Sequence, residues 1–253
     1  MLCIIVSKED IASINIGKFL LSLEKWKEKN GIYFSDDKII YFIEDTHIYH
    51  DNIDKEIESK GYEIDTIIFA SRHASMAKRK TLTVHAVGNY SKAEYGGKDR
   101  KLVPCEPLLM RNALELLKEK DIDGYEVCYE ATHHGPYLEK PCFFIEVGST
   151  EKEWNDKKAC KAIAEVILEL ERKNYDVAIG IGGGHYAPRF TDIAFDKKVA
   201  FGHIAAKYAI PYLNEKLIEE MINKTPNCKK AYFHGECENI KRIVSNYLEV
   251  ITK

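Results

Sequence analysis

Apolar segments of two kinds alternate along most of this 253-residue chain, and this alternation restricts the fold more than any other feature. Within residues 153–173, apolar side chains recur at i, i+3, i+4, i+7, i+8 and i+11, which is the stripe of an amphipathic helix. Residues 176–181, apolar after the first position, are typical of a strand in a sheet that is covered on both faces. Strand–helix alternation predicts an α/β fold of three layers, with helices on both faces of a mixed sheet.

The same patterns predict the shorter elements. Further strands are predicted at residues 2–6, 39–43, 66–70, 81–87, 126–131, 142–147, 198–201 and 231–234. Further helices are predicted at residues 14–23, 52–60, 107–118, 213–222 and 240–248. Residues 88–104 have no regular pattern, so we expect them to form a basic loop or insertion within a single domain of residues 1–253.

Charge and composition exclude several classes of protein. The chain has 37 Lys and Arg against 40 Asp and Glu, a net charge of −3, which excludes a polybasic protein that coats nucleic acid. No apolar stretch reaches the roughly 18 residues that a membrane span needs, and the short apolar start lacks the features of a signal peptide. The seven cysteines are dispersed and form no CxxC pair, which favours reduced thiols and a cytoplasmic location.

Histidines carry most of the chemical information. His73, the pair His133 and His134, and His185 each follow a predicted strand. Ligands of open α/β sheets collect beyond the carboxyl ends of strands, so we expect these four histidines to meet in one catalytic or metal-binding site. His85 lies on the polar face of a predicted strand and is expected to join them.

The candidate metal ligands include acids as well as histidines, whereas most of the remaining histidines are interpreted as structural residues. Neutral imidazole is a common zinc ligand, and carboxylates can complete such sites. The candidate carboxylates are Glu130, Glu146 and Asp192. Neither HExxH nor a paired CxxC is present, so spacing alone does not establish a metal site. His203 is interpreted as either a structural or a functional residue. Three further histidines are interpreted as structural: His47, His50 and His234.

A run of three glycines, Gly182, Gly183 and Gly184, directly precedes His185. The run fits neither the dinucleotide-binding GxGxxG pattern nor a phosphate-binding P-loop. Adjacent glycines allow a backbone to approach a ligand closely with its N–H groups facing that ligand. We therefore expect an oxyanion- or substrate-facing loop here, and the alternative is a tight turn.

Residues 71–103 form a basic segment within the acidic chain. Eight Lys and Arg face two acids, which gives a local charge of +6, and Tyr90 and Tyr95 lie among them. Basic clusters attract phosphate groups and aromatic rings stack on unpaired bases, so RNA binding is favoured over a merely solvated loop. The candidate tRNA-binding residues are Arg72, Lys78, Arg79, Lys98, Arg100, Lys101 and, outside the segment, Arg189.

Four blocks of sequence carry a family resemblance. They are residues 69–75 (FASRHAS), 81–89 (TLTVHAVGN), 130–136 (EATHHGP) and 180–192 (GIGGGHYAPRFTD). Together, and in this order, they resemble the archaeal and plant type of D-aminoacyl-tRNA deacylase. The resemblance covers essentially the whole chain.

This resemblance implies an enzyme that hydrolyses the ester between a D-amino acid and the 3′ end of tRNA, which frees both. It also implies two zinc ions per subunit, a monomer without an obligate protein partner, and a three-layer fold like that of phosphorylases and peptidyl-tRNA hydrolases. The residues themselves leave alternatives open: a nucleoside phosphorylase-like or metallopeptidase-like enzyme on a related fold, or a non-catalytic RNA-binding module. They also leave open which histidines bind metal and which transfer protons.

Overall fold

Twelve strands occur within residues 1–252, the part of the chain that the computed structural model describes. In chain order they are β1 (Leu2–Ser7), β2 (Lys27–Lys29), β3 (Ile32–Phe34), β4 (Lys38–Ile43), β5 (Thr66–Ala74), β6 (Thr81–His85), β7 (Glu126–Tyr129), β8 (Cys142–Ser149), β9 (Asp176–Gly182), β10 (Val199–Ala205), β11 (Lys230–His234) and β12 (Glu249–Ile251).

Eight α-helices connect these strands in the same part of the chain. They are α1 (Ile11–Leu23), α2 (Ile53–Ser59), α3 (Pro107–Lys120), α4 (Glu151–Trp154), α5 (Lys157–Glu169), α6 (Pro188–Lys197), α7 (Glu215–Asn223) and α8 (Glu238–Val244). None of these helices has both the length and the apolar character that crossing a membrane requires.

The strands form two sheets. The larger has the order β2-β3-β4-β1-β5-β8-β6-β7, and the smaller has the order β10-β9-β11-β12. Strands β4, β1, β5 and β8 run parallel, whereas β6 runs antiparallel to β8 and the β2–β3 hairpin adds an antiparallel edge. The smaller sheet is parallel throughout. The predicted mixed α/β architecture is therefore confirmed, although its strands divide between two sheets.

Helices cover both faces of each sheet, because alternate residues of the central strands are apolar on both sides. In the larger sheet, Ile68 faces α1, α3 and α5, whereas Phe69 faces the side where α2 packs. In the smaller sheet, Ala178 packs toward α6, and Ile179 packs toward α7 and α8. Helix α3 contacts strands of both sheets and so joins the two layers of strands.

Some predicted elements differ from the observed ones. The single helix expected over residues 153–173 is wrong: it is two helices, α4 and α5, because Asp156 accepts hydrogen bonds from the first backbone N–H groups of α5 and caps it. The β2–β3 hairpin, α6 and β12 were not predicted, and β2 is an exposed Lys-Glu-Lys strand without any apolar pattern. Strand β6 ends at His85, two residues earlier than expected.

Candidate active site

One face of β5, β8 and β6 forms the floor of the site. His73 of β5 lies opposite Gly148 of β8, and His85 of β6 lies opposite Phe144 of β8. Cross-strand partners and alternate residues of a strand share a face, so His73, Glu146 and His85 project from one surface. A Cβ at Gly148 would lie 2.9 Å from the His73 side chain, so only glycine leaves space for that ring.

The direction of β6 changes the expected position of the site. The four histidines were expected beyond the carboxyl ends of strands, but β5 extends through His73, which is therefore a strand residue. Because β6 is antiparallel to β8, His85 at the end of β6 lies opposite the first half of β8, whereas His73 near the end of β5 lies opposite the end of β8. The site consequently lies over the face of the sheet as well as at its edge.

Two loops supply the other groups. Glu130, His133 and His134 follow β7, and His185 follows β9 of the smaller sheet. The backbone N–H of Ala131 donates to the carbonyl oxygen of His185 at 2.8 Å, which ties these two loops together. The structure thus brings His73, His85, Glu130, His133, His134, Glu146 and His185 into one cluster.

Backbone carbonyls fix three of the imidazole rings. The Nδ1–H groups of His85, His133 and His134 donate to the carbonyl oxygens of Ala86 (3.0 Å), Ala131 (2.8 Å) and Gly135 (2.6 Å). A carbonyl oxygen only accepts, so the proton of each neutral ring sits on Nδ1 and the lone pair sits on Nε2. One ring nitrogen from each histidine lies within 4.8 Å of the other two. This is the arrangement that orients histidines as metal ligands.

A second group is centred on Glu130. Its Oε1 lies 3.1 Å from Nδ1 of His73, and its Oε2 lies 3.0 Å from Nε2 of His185. The opposite nitrogens meet tyrosine hydroxyls: Nε2 of His73 is 2.9 Å from Tyr186, and Nδ1 of His185 is 3.2 Å from Tyr208. Each of the two histidines thereby has an oxygen close to both of its ring nitrogens.

Glu146 lies between the two groups. Its Oε2 is 3.6 Å from both Nδ1 of His73 and Nε2 of His85. Glu130 and Glu146 are only 1% and 2% exposed, yet within residues 1–252 neither oxygen of Glu130 has a hydrogen bond of good geometry, and Nε2 of His85 also has none. Unsatisfied buried carboxylates are costly. A cation would satisfy these atoms, so the donor set fits a metal ion.

The charges of the cluster also suit a cation. Burial raises the pKa of both glutamates, but the histidine nitrogens close to their oxygens outweigh it, so the pKa of Glu130 lies well below its usual range and that of Glu146 is about 2. Burial lowers the pKa of His133 well below its usual range and that of His134 to about 4. Two charged carboxylates therefore face two neutral imidazoles whose lone pairs are available.

The pKa values of His73 and His85 are raised, in contrast to those of His133 and His134. Burial lowers the pKa of His73, but the carboxylates of Glu130 and Glu146 beside it raise it to about 11. Burial likewise lowers the pKa of His85, and Glu146 raises it above its ordinary value. The proton on Nδ1 of His73 and the proton on Nε2 of His85 each face a carboxylate, so each proton occupies a position that a cation would take.

A cavity of about 460 Å³ opens onto the cluster. Besides cluster residues, its lining includes Asp10, His47, Ser71, Arg72 and Tyr95. His47 packs against aromatic rings as a structural histidine would, yet it also faces this cavity. Asp10 was not predicted, although its place three residues beyond β1 is where ligand-binding residues of such sheets lie.

The predicted glycine loop lies beside the cluster and packs against β11. A Cβ on Gly182 would lie 2.0 Å from the carbonyl oxygen of His234, and a Cβ on Gly183 would lie 2.9 Å from the His234 ring. Packing against β11 therefore explains two of the three glycines, whereas Gly184 is exposed. The third carboxylate candidate, Asp192, lies on α6 beside a separate cavity and outside the cluster.

The basic residues predicted to bind tRNA differ in how free they are. Arg72 lines the cavity. Arg79 and Lys101 form ion pairs with Glu126 and Glu220, which reduces the local excess of positive charge. The remaining candidates, which have no ion pair within residues 1–252, are Lys78, Lys98, Arg100 and Arg189.

The fold and the cluster define an α/β protein with a buried histidine–carboxylate centre that can hold a cation next to a ligand-sized cavity. A sequence model of the D-aminoacyl-tRNA deacylase family matches residues 60–251. The chain is 40% identical to the D-aminoacyl-tRNA deacylase of Thermococcus kodakarensis, over 98% of this chain and 97% of that protein. It is 43% identical to that of Pyrococcus abyssi, over 95% and 89%. The chain therefore belongs to the D-aminoacyl-tRNA deacylase family.

A solved structure supports the same fold. The crystal structure of a conserved protein of unknown function matches this chain with a TM-score of 0.91 and 33% identity, covering 99% of this chain and 94% of that one. The family resemblance carried by the four sequence blocks and the predicted α/β class are thus confirmed.

Proposed function

We propose that this chain hydrolyses the ester between a D-amino acid and the 3′ end of tRNA at the histidine–carboxylate cluster. Family membership supports the reaction. The observation that carries the assignment to this site is the buried cluster itself: His133, His134 and Glu146 line one cavity, and His85 and Glu130 lie buried beside them. An aminoacyl ester needs an activated water and stabilisation of the developing oxyanion, and such a centre supports both.

Zinc is the cation that we propose for the cluster. His85, His133 and His134 would hold one ion, with Glu146 beside them. The group of His73, Glu130 and His185 has the donors for a second ion, as the family resemblance implies. Bound zinc supplies Lewis acidity, which lowers the pKa of a coordinated water to about 7 and polarises a carbonyl group.

His185 is the residue best placed to move a proton when its group holds no cation. Its side chain is 35% exposed, far more than that of Glu130 beside it. Glu130 Oε2 lies 3.0 Å from Nε2, which favours the proton on that nitrogen and leaves Nδ1, 3.2 Å from the Tyr208 hydroxyl, as the basic nitrogen once substrate water replaces that hydroxyl. That nitrogen can take a proton from the attacking water and return it to the 3′-oxygen of the departing tRNA.

Backbone and basic groups around the cluster complete the proposal. Gly184, which is exposed and adjacent to His185, is the member of the glycine loop whose N–H can best face an oxyanion. Arg72 lines the cavity, and Lys78 and Arg189 lie outside any ion pair within residues 1–252, so these cations can contact the phosphates of the tRNA end.

The test is single-turnover hydrolysis of D-tyrosyl-tRNA and L-tyrosyl-tRNA by the purified protein, with its zinc content measured in parallel. We expect release of D-tyrosine, much slower release of L-tyrosine, and loss of activity with a chelator that added zinc restores. A content of two zinc ions per chain would support a second ion in the group of His73, Glu130 and His185. A content of one ion per chain would support His185 as the acid–base group. No release of D-tyrosine by the zinc-loaded protein would disprove the proposed function.

A further inference from the structure

A second hollow adjoins the catalytic cavity. Its volume is about 330 Å³, and we call it the tyrosine hollow. It is lined by Gly88, Asn89, Tyr90, Ser91, Lys92, Glu94, Tyr95, Thr132, His133, His134, Tyr208, Ala209 and Tyr212. Tyr95, His133 and His134 also line the catalytic cavity, so these residues form a wall that both spaces share.

Exposed aromatic rings are concentrated in this hollow. Seven large apolar side chains within residues 1–252 are well exposed, and three of them line it. Tyr95 is 63% exposed, Tyr208 is 52% exposed and Tyr212 is 45% exposed. Since a ring in contact with water gains nothing from folding, this clustering needs a reason other than packing. Stacking of an unpaired nucleic-acid base is such a reason.

The tyrosines are held by backbone contacts from neighbouring segments. The carbonyl oxygen of Tyr95 accepts a hydrogen bond from the N–H of Gly135 at 2.9 Å, next to His134. The carbonyl oxygen of Tyr212 accepts one from Nη2 of Arg100 at 3.0 Å. The backbone that carries these two rings is therefore held in place before any ligand arrives, which lowers the entropic cost of stacking.

The charges of the two spaces differ. The catalytic cavity contains the buried carboxylates of Asp10 and Glu146, which suit the ammonium group of an amino acid, and its lining also includes the half-buried Arg72. The lining of the tyrosine hollow has one exposed base, Lys92, and one exposed acid, Glu94, and Arg100 lies behind Tyr212. The carboxylates therefore favour the orientation in which the ammonium end of an aminoacyl nucleotide enters the catalytic cavity.

We infer that the tyrosine hollow binds the 3′-terminal nucleoside of the RNA, with its base stacked on Tyr95 and Tyr212. This inference rests on the proposed function. The scissile ester is on the same ribose as the terminal base, so base and acyl group must occupy adjacent spaces on either side of the reacting groups. The wall formed by His133 and His134 provides that division, with the aminoacyl group in the catalytic cavity.

The test uses an uncharged RNA hairpin with a single-stranded 3′ end and the same hairpin with an abasic 3′-terminal residue. For the wild-type protein we expect removal of the base to weaken binding about 10-fold, the size typical of one stacked base. For Tyr212→Leu and Tyr95→Leu the intact hairpin should bind about 10-fold more weakly, and base removal should then have little further effect. Tyr212→Phe keeps the ring and should bind as the wild type does.

Tyr247→Leu is the matched control, because Tyr247 is a similarly exposed tyrosine outside the hollow. It should bind both hairpins as the wild type does. Equal binding of the two hairpins by the wild type, or an equal loss in Tyr247→Leu, would overturn the inference. In deacylation of D-tyrosyl-tRNA, Tyr212→Leu should raise KM about 10-fold with kcat nearly unchanged. A wild type that hydrolyses this substrate but shows no base-dependent hairpin binding would leave the proposed function intact and remove only the nucleoside site.

Discussion

The Nδ1–H groups of His133 and His134 donate to carbonyl oxygens that lie one or two residues away along the chain. Their ring orientation is therefore set by the local backbone, and it does not depend on other side chains. This leaves the Nε2 lone pairs free for a shared ligand. At such a position the imidazole itself is required, since a side chain of similar size without that nitrogen cannot replace it.

His134→Gln tests this role. We expect the zinc content to fall by about one ion per chain and kcat/KM to fall about 100-fold or more, because Lewis-acid stabilisation of several kcal/mol is lost. Metal analysis of the purified variant and single-turnover kinetics measure the two quantities.

His50→Gln is the control for His134→Gln. His50 lies outside the cavity and contacts Asp45 and Glu56. This variant should keep its zinc and stay within about twofold of wild-type activity, the range expected when no transition-state contact is lost. An inactive His134→Gln protein with full zinc content would contradict the ligand role and indicate proton transfer by His134.

Among the structural elements, the loop of residues 88–104 differs most from its expected character. It is irregular, as predicted, but it is packed and not merely solvated. Its Gly96–Gly97 turn lies directly on Gly135, the residue after His134, and on the backbone of Ile48. Asn89 donates to the carbonyl oxygen of Gly96 at 2.9 Å and closes the turn. The loop thereby supports the histidine pair from behind.

Gly96→Ala should disrupt this packing. Gly96 has a φ of +74°, and a Cβ there would lie 1.7 Å from the carbonyl oxygen of Ile48. Positive φ alone costs a non-glycine residue about 1–2 kcal/mol. The steric clash should add at least about 2 kcal/mol to that. Thermal unfolding should show a lower Tm for this variant, and deacylation should slow because the histidine loop moves.

Gly31→Ala separates the two costs in that experiment. Gly31 has nearly the same φ, +76°, but in the described part of the chain no atom outside its immediate neighbours lies within 4 Å of the position that a Cβ would occupy there. Gly31→Ala should therefore lose only the stability that the unfavourable backbone conformation costs, and its deacylation activity should be normal. Equal losses of stability in the two variants would show that the close contact at Gly96 has no effect.

On the scale of the whole molecule, the histidine–carboxylate cluster contains residues that follow strands of both sheets, and His203 of β10 forms one of the contacts between those sheets. Its Nε2–H donates to the carbonyl oxygen of Val103 at 3.0 Å, and its Nδ1 accepts from the hydroxyl of Thr132 at 3.1 Å. Thr132 precedes the histidine pair and also accepts from the N–H of Ile204. The structure thus answers the question that the sequence left open for His203, which is a buried structural residue.

Stability should fall in acid partly because of His203. Burial lowers the pKa of His203 to about 3, while an unfolded histidine has a pKa of about 6.5. Between these values the unfolded chain binds a proton that the folded chain does not, so folding becomes less favourable as the pH falls from 6.5 toward 3. At about pH 5 this amounts to about 2 kcal/mol, and above about pH 7 it vanishes.

Urea unfolding of the wild type and of His203→Gln at about pH 7.5 and about pH 5 measures this contribution. Glutamine keeps a donor for Val103 but does not titrate. The wild type should lose about 2 kcal/mol more than the variant between the two pH values. The comparison cancels the other buried histidines, and an identical loss in both proteins would rule out His203 as a source of acid sensitivity.

The family and the fold class could be read from the sequence because their signals are local. Each sequence block brings its histidine within a short segment, and amphipathic periods report burial one element at a time. The positions of Asp10 and Tyr208 could not be found in this way, since they come from segments far from the histidine blocks. The predicted single domain, monomeric state and cytoplasmic location stay predictions.

The sequence by itself therefore determined the α/β class, the family and the four histidines at the end or the edge of strands, because each depends on residues close together in the chain. Only the tertiary structure decided that β6 is antiparallel, that Glu130 lies between His73 and His185, and that a tyrosine hollow adjoins the histidine wall. These features depend on strand order and on loops from two sheets. Such contacts between distant segments are set by the packing of the whole molecule, and no local pattern encodes them.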